Sequence, residues 1–420
     1  MTTTHSNSPL RCFKTTDGLQ VNVIQKPGYQ QTVATLSVKM GASTDTWLDE
    51  SGKRQKIPAG TAHFLEHKLF DKPDGDVLID FTNLGADANA FTTNDQTCYY
   101  FSSDQQVEEA LELLLHFVQE PYFTDQTVAR ERGIIEEEIA SYQDDPFSIL
   151  YQGILKTAYP ATALAEDVAG TAASLQAITP SLLYAVHQAF YQPENLTLTI
   201  VSALNFDRVM NWVNRIQGSV SSRRAVQQEK PIAYPLLSKS VQVAKAVAVQ
   251  RPKLALLKPL PIDKEMSLPK QRLLAEIALD LAFGEQTDWY QTQYQSGQLG
   301  DDFDYEVLVM ESAAFVLFFS SGTTDKQGAI IQKRLNDWPE ILRDSAEDFV
   351  HLQKALIGEN LLQQDRLEQV ALDDDLALYG VSLFDKMKIL TRFEHADVLN
   401  YAKTALKPGP LAQFTLKKLR

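Results

Sequence analysis

Residues 60–70 read GTAHFLEHKLF, and this stretch sets His63 and His67 four residues apart with Glu66 directly before the second. An α-helix advances about 100° per residue, so the two imidazoles leave one face and the carboxylate stands beside them. Neutral imidazoles are good zinc ligands, and a catalytic zinc keeps three protein ligands and one open position. Glu66 need not be one of the three: beside such a site it serves as a general base toward water. The bland alternative is a pair of solvated or core histidines near a glutamate. The full H-x-x-E-H pattern arises by chance in about one such sequence in a hundred, which favours the chemical reading.

A third ligand must come from elsewhere, and the helical stretch VARERGIIEEEIASYQ offers Glu131, Glu136, Glu137 and Glu138. Val128, Ile135, Ile139 and Tyr142 form its apolar stripe, and positions 131, 135, 138 and 142 keep to one face. Glu131 and Glu138 therefore border the buried side, whereas Glu136 and Glu137 turn toward solvent. A carboxylate on a buried stripe costs several kcal/mol unless it is paired, hydrogen-bonded or metal-bound. Metal binding by Glu138 would offset that cost, and Glu131, two turns earlier, could orient a ligand histidine. Taken without the histidines, both carboxylates would be read as surface ion pairs.

Working outward, LQVNVIQ and TVATLSVKMG alternate with period two and predict strands, and the polar stretch STDTWLDESGKRQKIPAG predicts a loop leading into the histidine helix. Beyond it the pattern predicts a short helix at GDVLIDFTNLG, strands at ADANAFTTND and TCYYFSS, two helices, a further helix at SLLYAVHQAFY, the strand NLTLTIVSAL and another short helix. A serine-rich, charged segment broken by Pro231 marks a linker, which divides the chain into 1–218, a linker 219–234, and 235–420. LGADANAFTTNDQTCYYFSSD, starting at Leu84, resembles LGDDFDYEVLVMESAAFVLFFSSG, starting at Leu299, in its Leu-Gly opening and Phe-Ser-Ser ending. The same offset lays HFLEH onto Ala278–Ala282, which has neither histidine nor glutamate where the first has them. The expected fold class is α+β, two duplicated domains of which only the first carries the chemistry.

The 420 residues, 44% hydrophobic, suffice for large cores, and a formal charge of −15 gives no positive case for a nucleic-acid partner. Only Cys12 and Cys98 occur, too few for a disulfide framework or a cysteine-built zinc module. No apolar run of about 18 residues and no secretory leader pattern is found, so the expectation is a cytoplasmic chain without a membrane partner. The isolated His116, His187, His351 and His395 are read as core or surface residues.

HFLEH followed by ERGIIEEEI resembles the inverzincin peptidases of the pitrilysin and insulinase family, and the likeness extends through LGADANAFTTNDQTCYYF. The resemblance implies a pitrilysin or mitochondrial-processing-peptidase type of architecture, two α/β-sandwich domains each with an antiparallel-rich sheet and packed helices. It implies one Zn2+ per chain held by His63, His67 and Glu138, Glu66 as general base, and Glu131 as an accessory carboxylate. Asn89, Ala90 and Phe91 match the family's edge strand, on which a peptide substrate is held as an added β-strand. Tyr305 matches a substrate-binding tyrosine of the second half, but the arginine that often accompanies it is missing, since none occurs between Arg272 and Arg334. Small bacterial members similar to this chain pair a zinc-bearing subunit with a homologous one that lacks zinc ligands. The expectation is therefore a zinc-dependent endopeptidase for short or unfolded peptides, working as a heterodimer, with a homodimer second. The rival is a non-catalytic peptide-binding or scaffold subunit with a structural zinc site.

Overall fold

The computed structural model describes residues 9–220, 228–229 and 231–419, so the expected linker lies partly outside the described residues. Alternation along the first strands builds a six-stranded sheet from β1 (Leu10–Lys14), β2 (Gln20–Gln25), β3 (Thr32–Val38), β8 (Ala86–Thr92), β9 (Thr97–Ser103) and β10 (Leu196–Ser202). Its order is β1-β2-β10-β3-β9-β8, antiparallel throughout except for the parallel pair β2 and β10. Two small hairpins stand outside it. One, β4 (Thr46–Leu48) with β5 (Arg54–Lys56), occupies the stretch expected to be a polar loop, and the other joins β6 (Asp71–Lys72) to β7 (Gly75–Asp76).

One face of the sheet packs on α1 (Thr61–Leu69), α2 (Val77–Asn83), α3 (Val107–Gln119) and α4 (Asp125–Tyr142), with Phe64, Leu114 and Ile135 meeting Val21, Leu36 and Phe101 in a single core. The other face is covered as well. Ile24, Val33 and Val201 pack against Leu367, Val370, Ala371 and Leu376, and Thr35 Oγ1 donates to the Ala371 carbonyl at 3.2 Å. Coverage from both sides explains why β3 is buried at all seven positions, where alternation alone predicts one polar, solvated face.

The second sheet has the order β11-β15-β12-β14-β13, from β11 (Val241–Val247), β12 (Lys253–Leu260), β13 (Asp304–Val309), β14 (Ala314–Ser321) and β15 (Ala412–Lys418). Here too one pair, β11 with β15, is parallel and the rest antiparallel. The sequence from β2 to β8 across the first sheet is thus repeated strand for strand, so the duplication inferred from the Leu-Gly segments is a duplication of topology. The helix Leu268–Phe283 covers one face, with Leu274, Ala278 and Phe283 in its core. The other face carries α5 (Pro146–Ala158), whose Leu150, Ile154 and Leu155 meet Ala255, Leu257 and Phe315. This helix escaped the sequence reading. A Cβ on its Gly153 would lie 2.3 Å from the Phe414 ring, so glycine lets the helix lie directly on the sheet.

Two segments cross the expected halves of the sequence. The first compact unit comprises the described residues of Met1–Ile139, Asp167–Lys230 and Gln363–Phe384, and the second those of Ala140–Glu166, Pro231–Leu362 and Asp385–Arg420. No helix among the described residues is long and apolar enough to cross a membrane.

His187, in the helix Pro180–Phe190, is buried against Tyr191 and donates from Nε2 to the Val118 carbonyl at 2.9 Å. Burial pulls its imidazole down from 6.5 to about 4. Between those values the unfolded chain binds a proton that the folded unit refuses, so stability is intact above about pH 6.5 and falls as pH drops toward 4, by about 3 kcal/mol in all. Urea titrations across that window should show this slope, and His187→Phe should remove its share of it.

Candidate active site

The histidine helix begins abruptly. Gly60, with φ of +86°, stands where a side-chain cap is usual, and a Cβ there would lie 2.4 Å from the Ala169 carbonyl oxygen. α1 is buried nearly all round, with Phe64, Leu65 and Leu69 in the core and His63 and Glu66 each 9% exposed. The imidazole rings of His63 and His67 lie 4.5 Å apart, as the four-residue spacing demands.

α4 brings the distant carboxylates to them. Glu131 is buried, and its Oε1 accepts a hydrogen bond from His67 Nδ1 at 3.0 Å. That bond assigns the Nδ1 proton and leaves His67 Nε2 as the ring's acceptor atom. Two turns on, Glu138 Oε1 lies 3.7 Å from His63 Nε2 and its Oε2 lies 3.8 Å from His67 Nε2. One ligand atom from each of the three residues falls within 4.8 Å of the others, and among the described residues no other such group exists. Of the remaining glutamates, Glu136 accepts from Gln176 at 3.0 Å and Glu137 is exposed.

The donor set fits a small cation. Imidazole lone pairs directed at carboxylate oxygens repel unless a proton or a positive ion lies between them. Ligands at zinc's usual 2.0–2.2 Å stand about 3.4 Å apart in a tetrahedron, a little inside the separations found here. His63 Nδ1 is buried and has no hydrogen-bond partner, so this ring is seated by packing rather than by a second carboxylate. The burial argument that singled out two glutamates applies differently to each. Glu131 is buried and relieved by His67, whereas the Glu138 side chain is 41% exposed, so its orientation toward the histidines is not a response to burial.

Electrostatics distinguish the members. Burial, aided by the neighbouring His67, pulls His63 down to about 4 and keeps it a neutral donor. Burial also pulls on His67, but the Glu131 hydrogen bond and charge, with Glu66 and Glu138 beyond, outweigh it and hold that ring above its ordinary value. Glu66 is pushed above the usual carboxylate range by burial, against the opposing hydrogen bond from Thr92.

Two contributions had no sequence signal. Thr92 Oγ1 donates to Glu66 Oε2 at 2.5 Å. Lys68, fully buried, and Arg130 both bind Asp71 Oδ2, at 2.6 Å and 2.5 Å, forming a second tie between the end of α1 and α4 beside the His67–Glu131 bond.

Asn89, Ala90 and Phe91 lie on β8, which ends the sheet and pairs with β9 alone among the described strands. Asn89 is exposed, and Thr92, three residues on, reaches Glu66, so this edge leads directly to the candidate base. Tyr305 belongs to the second unit, on β13, where its hydroxyl donates to Asp280 Oδ1 at 2.7 Å. The arginines flanking the stretch without arginine are engaged with backbone: Arg272 donates to the Val309 carbonyl and Arg334 to that of Ala282. At the counterparts of the motif positions, Ala278, Leu281 and Ala282 are buried apolar residues.

Comparison with known proteins identifies the family. Residues 21–172 match the model for insulinase (peptidase family M16), and residues 177–356 match that for the peptidase M16 inactive domain. The uncharacterized zinc protease YmfH of Bacillus subtilis is 34% identical over 399 residues, which cover 92% of this chain and 91% of that protein. The chain belongs to the insulinase (M16) family. Within that family, a crystal structure described as an M16-like peptidase from Alicyclobacillus acidocaldarius is 25% identical, with a TM-score of 0.90 over 99% of this chain and 100% of that one. The human mitochondrial-processing peptidase subunit beta is 28% identical over 182 residues, 41% of this chain and 37% of that subunit. In this M16 chain the histidine motif lies within the first of the two matched stretches.

Glu131→Gln keeps the shape of the side chain and removes the charge that orients His67. It should weaken zinc binding by about 10- to 100-fold in chelator competition while leaving the fold's thermal midpoint within a few degrees.

Proposed function

We propose that this chain is a zinc-dependent endopeptidase acting on short or unfolded peptides, with one zinc ion held by His63, His67 and Glu138. The observation that carries this reading is the placement of Glu66. Its buried carboxylate stands beside the three candidate ligands, held by Thr92, with its proton affinity raised. A zinc that merely tied two helices together would need no such group. Zinc, when bound, supplies the Lewis acidity that makes water a competent nucleophile near neutral pH and polarises a carbonyl.

The chain's own residues do the rest. Along the outer edge of β8 around Asn89, Ala90 and Phe91, every second residue turns its main-chain N–H and C=O away from β9, and an extended peptide adds there as a further strand. Folded proteins seldom present such a strand, which accounts for the preference for short or unfolded chains. Glu66 takes the proton from the attacking water and returns it to the departing amine, a task that suits a carboxylate with a raised pKa. Glu131 holds the His67 ring in orientation through Nδ1.

The second domain has buried apolar residues at the motif positions, and both arginines nearest Tyr305 in sequence are spent on carbonyls. A homologous partner subunit without zinc ligands would supply the missing arginine, and Tyr305 would join it in holding substrate. The low cysteine content suits a reducing, cytoplasmic setting.

Glu66→Gln should retain zinc at the parent stoichiometry and lose about 100-fold or more in peptide hydrolysis, read with quenched fluorescent peptides. In the same assay, mixing the chain with the product of a neighbouring homologous gene should raise the rate, and a chelator should abolish it. Parent-like hydrolysis by Glu66→Gln would remove Glu66 from its role. Absence of hydrolysis under every condition would favour a peptide-binding scaffold.

A further inference from the structure

The carboxylate of Glu66 is held from the substrate strand itself. Thr92 Oγ1 lies 2.5 Å from Glu66 Oε2, and the direction of that bond follows from its partners, since a carboxylate accepts and the hydroxyl donates. Thr97 Oγ1, whose own proton goes to the Met40 carbonyl at 3.0 Å, is the competing acceptor, but it is uncharged and stands 3.5 Å from Thr92 Oγ1. The single hydroxyl proton of Thr92 goes to Glu66.

The donor is also rigidly placed. Thr92 is the last residue of β8 and stands opposite Thr97 in the ladder. The turn that follows is closed by Thr93 N donating to Gln96 O at 2.8 Å, and it is fastened to a second segment by Ala42 N to Thr93 O and Ser43 N to Asn94 O, both at 2.9 Å. A Cβ on Gly41 would lie 2.5 Å from both the Thr93 oxygen and the Gln96 nitrogen, so the two backbones touch there. Along β8, alternation puts Ala86, Ala88, Ala90 and Thr92 on one face. Three methyl-sized side chains let the strand lie close to its neighbours, and the fourth residue brings the only polar side chain on that face.

We propose that Thr92 is the positioning residue of Glu66, and that it makes the orientation of the base depend on the strand to which peptide is added. This rests on the endopeptidase reading above. Held at Oε2, the carboxylate keeps Oε1 for the water proton, and a peptide paired with Asn89–Phe91 braces the strand that does the holding. A side chain fixed by a packed neighbour is what proton transfer at hydrogen-bond distance requires.

Thr92→Val preserves shape and removes the donor, and Thr92→Ser restores the hydroxyl. With zinc-loaded protein and quenched peptides, Thr92→Val should lower kcat by about 10- to 100-fold with KM within about twofold of the parent, and Thr92→Ser should recover most of kcat. Zinc affinity and thermal midpoint should match the parent in both. A second readout needs no turnover: in metal-free protein carrying 13C-labelled glutamate carboxyls, the resonance missing from Glu66→Gln should shift in Thr92→Val and return in Thr92→Ser. An unmoved resonance, an unchanged kcat, or a loss confined to KM would overturn the proposal. Absence of hydrolysis in the parent chain, alone and with a partner, would sink the peptidase reading, whereas the resonance decides the hold of Thr92 on Glu66 in either case.

Discussion

The hydrogen bond from His67 Nδ1 to Glu131 is the constraint on which the rest of the site depends. It joins two helices whose contributions are separated by 64 residues, and it does so with a buried carboxylate that would be costly left alone. Once Glu131 is committed to His67, helical geometry carries Glu138 two turns further along the same face, to within 4 Å of both Nε2 atoms. The Lys68–Asp71–Arg130 cluster repeats the tie one residue along each helix. A cation-binding geometry thus follows from a structural bond rather than from three independently placed ligands.

The second domain shows what the same topology becomes without that constraint. Its sheet repeats the first from β2 to β8, and its helix Leu268–Phe283 stands in the place of α1. With apolar residues at the motif positions the helix packs into a continuous core, and Trp338 Nε1 donates to the Ala278 carbonyl at 2.9 Å. Asp280, one carboxyl that this helix does carry, is met by the Tyr305 hydroxyl at 2.7 Å. The first domain accepts buried histidine, glutamate and lysine in α1, a concession of the kind that functional sites make.

The first site is also coupled to the edge of its sheet. Edge strands are liabilities because their main-chain groups are open to any extended chain. Here the open strand ends in the threonine that grips the candidate base on α1, so the edge open to an extended chain and the hold on Glu66 lie on one strand. Sheet, helix and turn are packed closely enough at Gly41 and Gly60 that neither position has room for a Cβ.

Local periodicity alone carried part of the site and part of the fold. The spacing of His63, Glu66 and His67 fixed their common face, the stripe of α4 separated Glu131 and Glu138 from Glu136 and Glu137, and the repeated Leu-Gly segments disclosed the duplicated topology. Only the tertiary structure decided which distant elements meet. It brought Glu138 to the histidines although burial does not demand it, and it delivered Thr92 to Glu66. It also laid α5 on the second sheet and the segment around Leu367–Leu376 on the first, burying the strand face that alternation had assigned to solvent. A side chain's own neighbours in the chain set its direction, whereas its partner across space depends on how whole elements pack, and no periodicity within one segment encodes the identity of another.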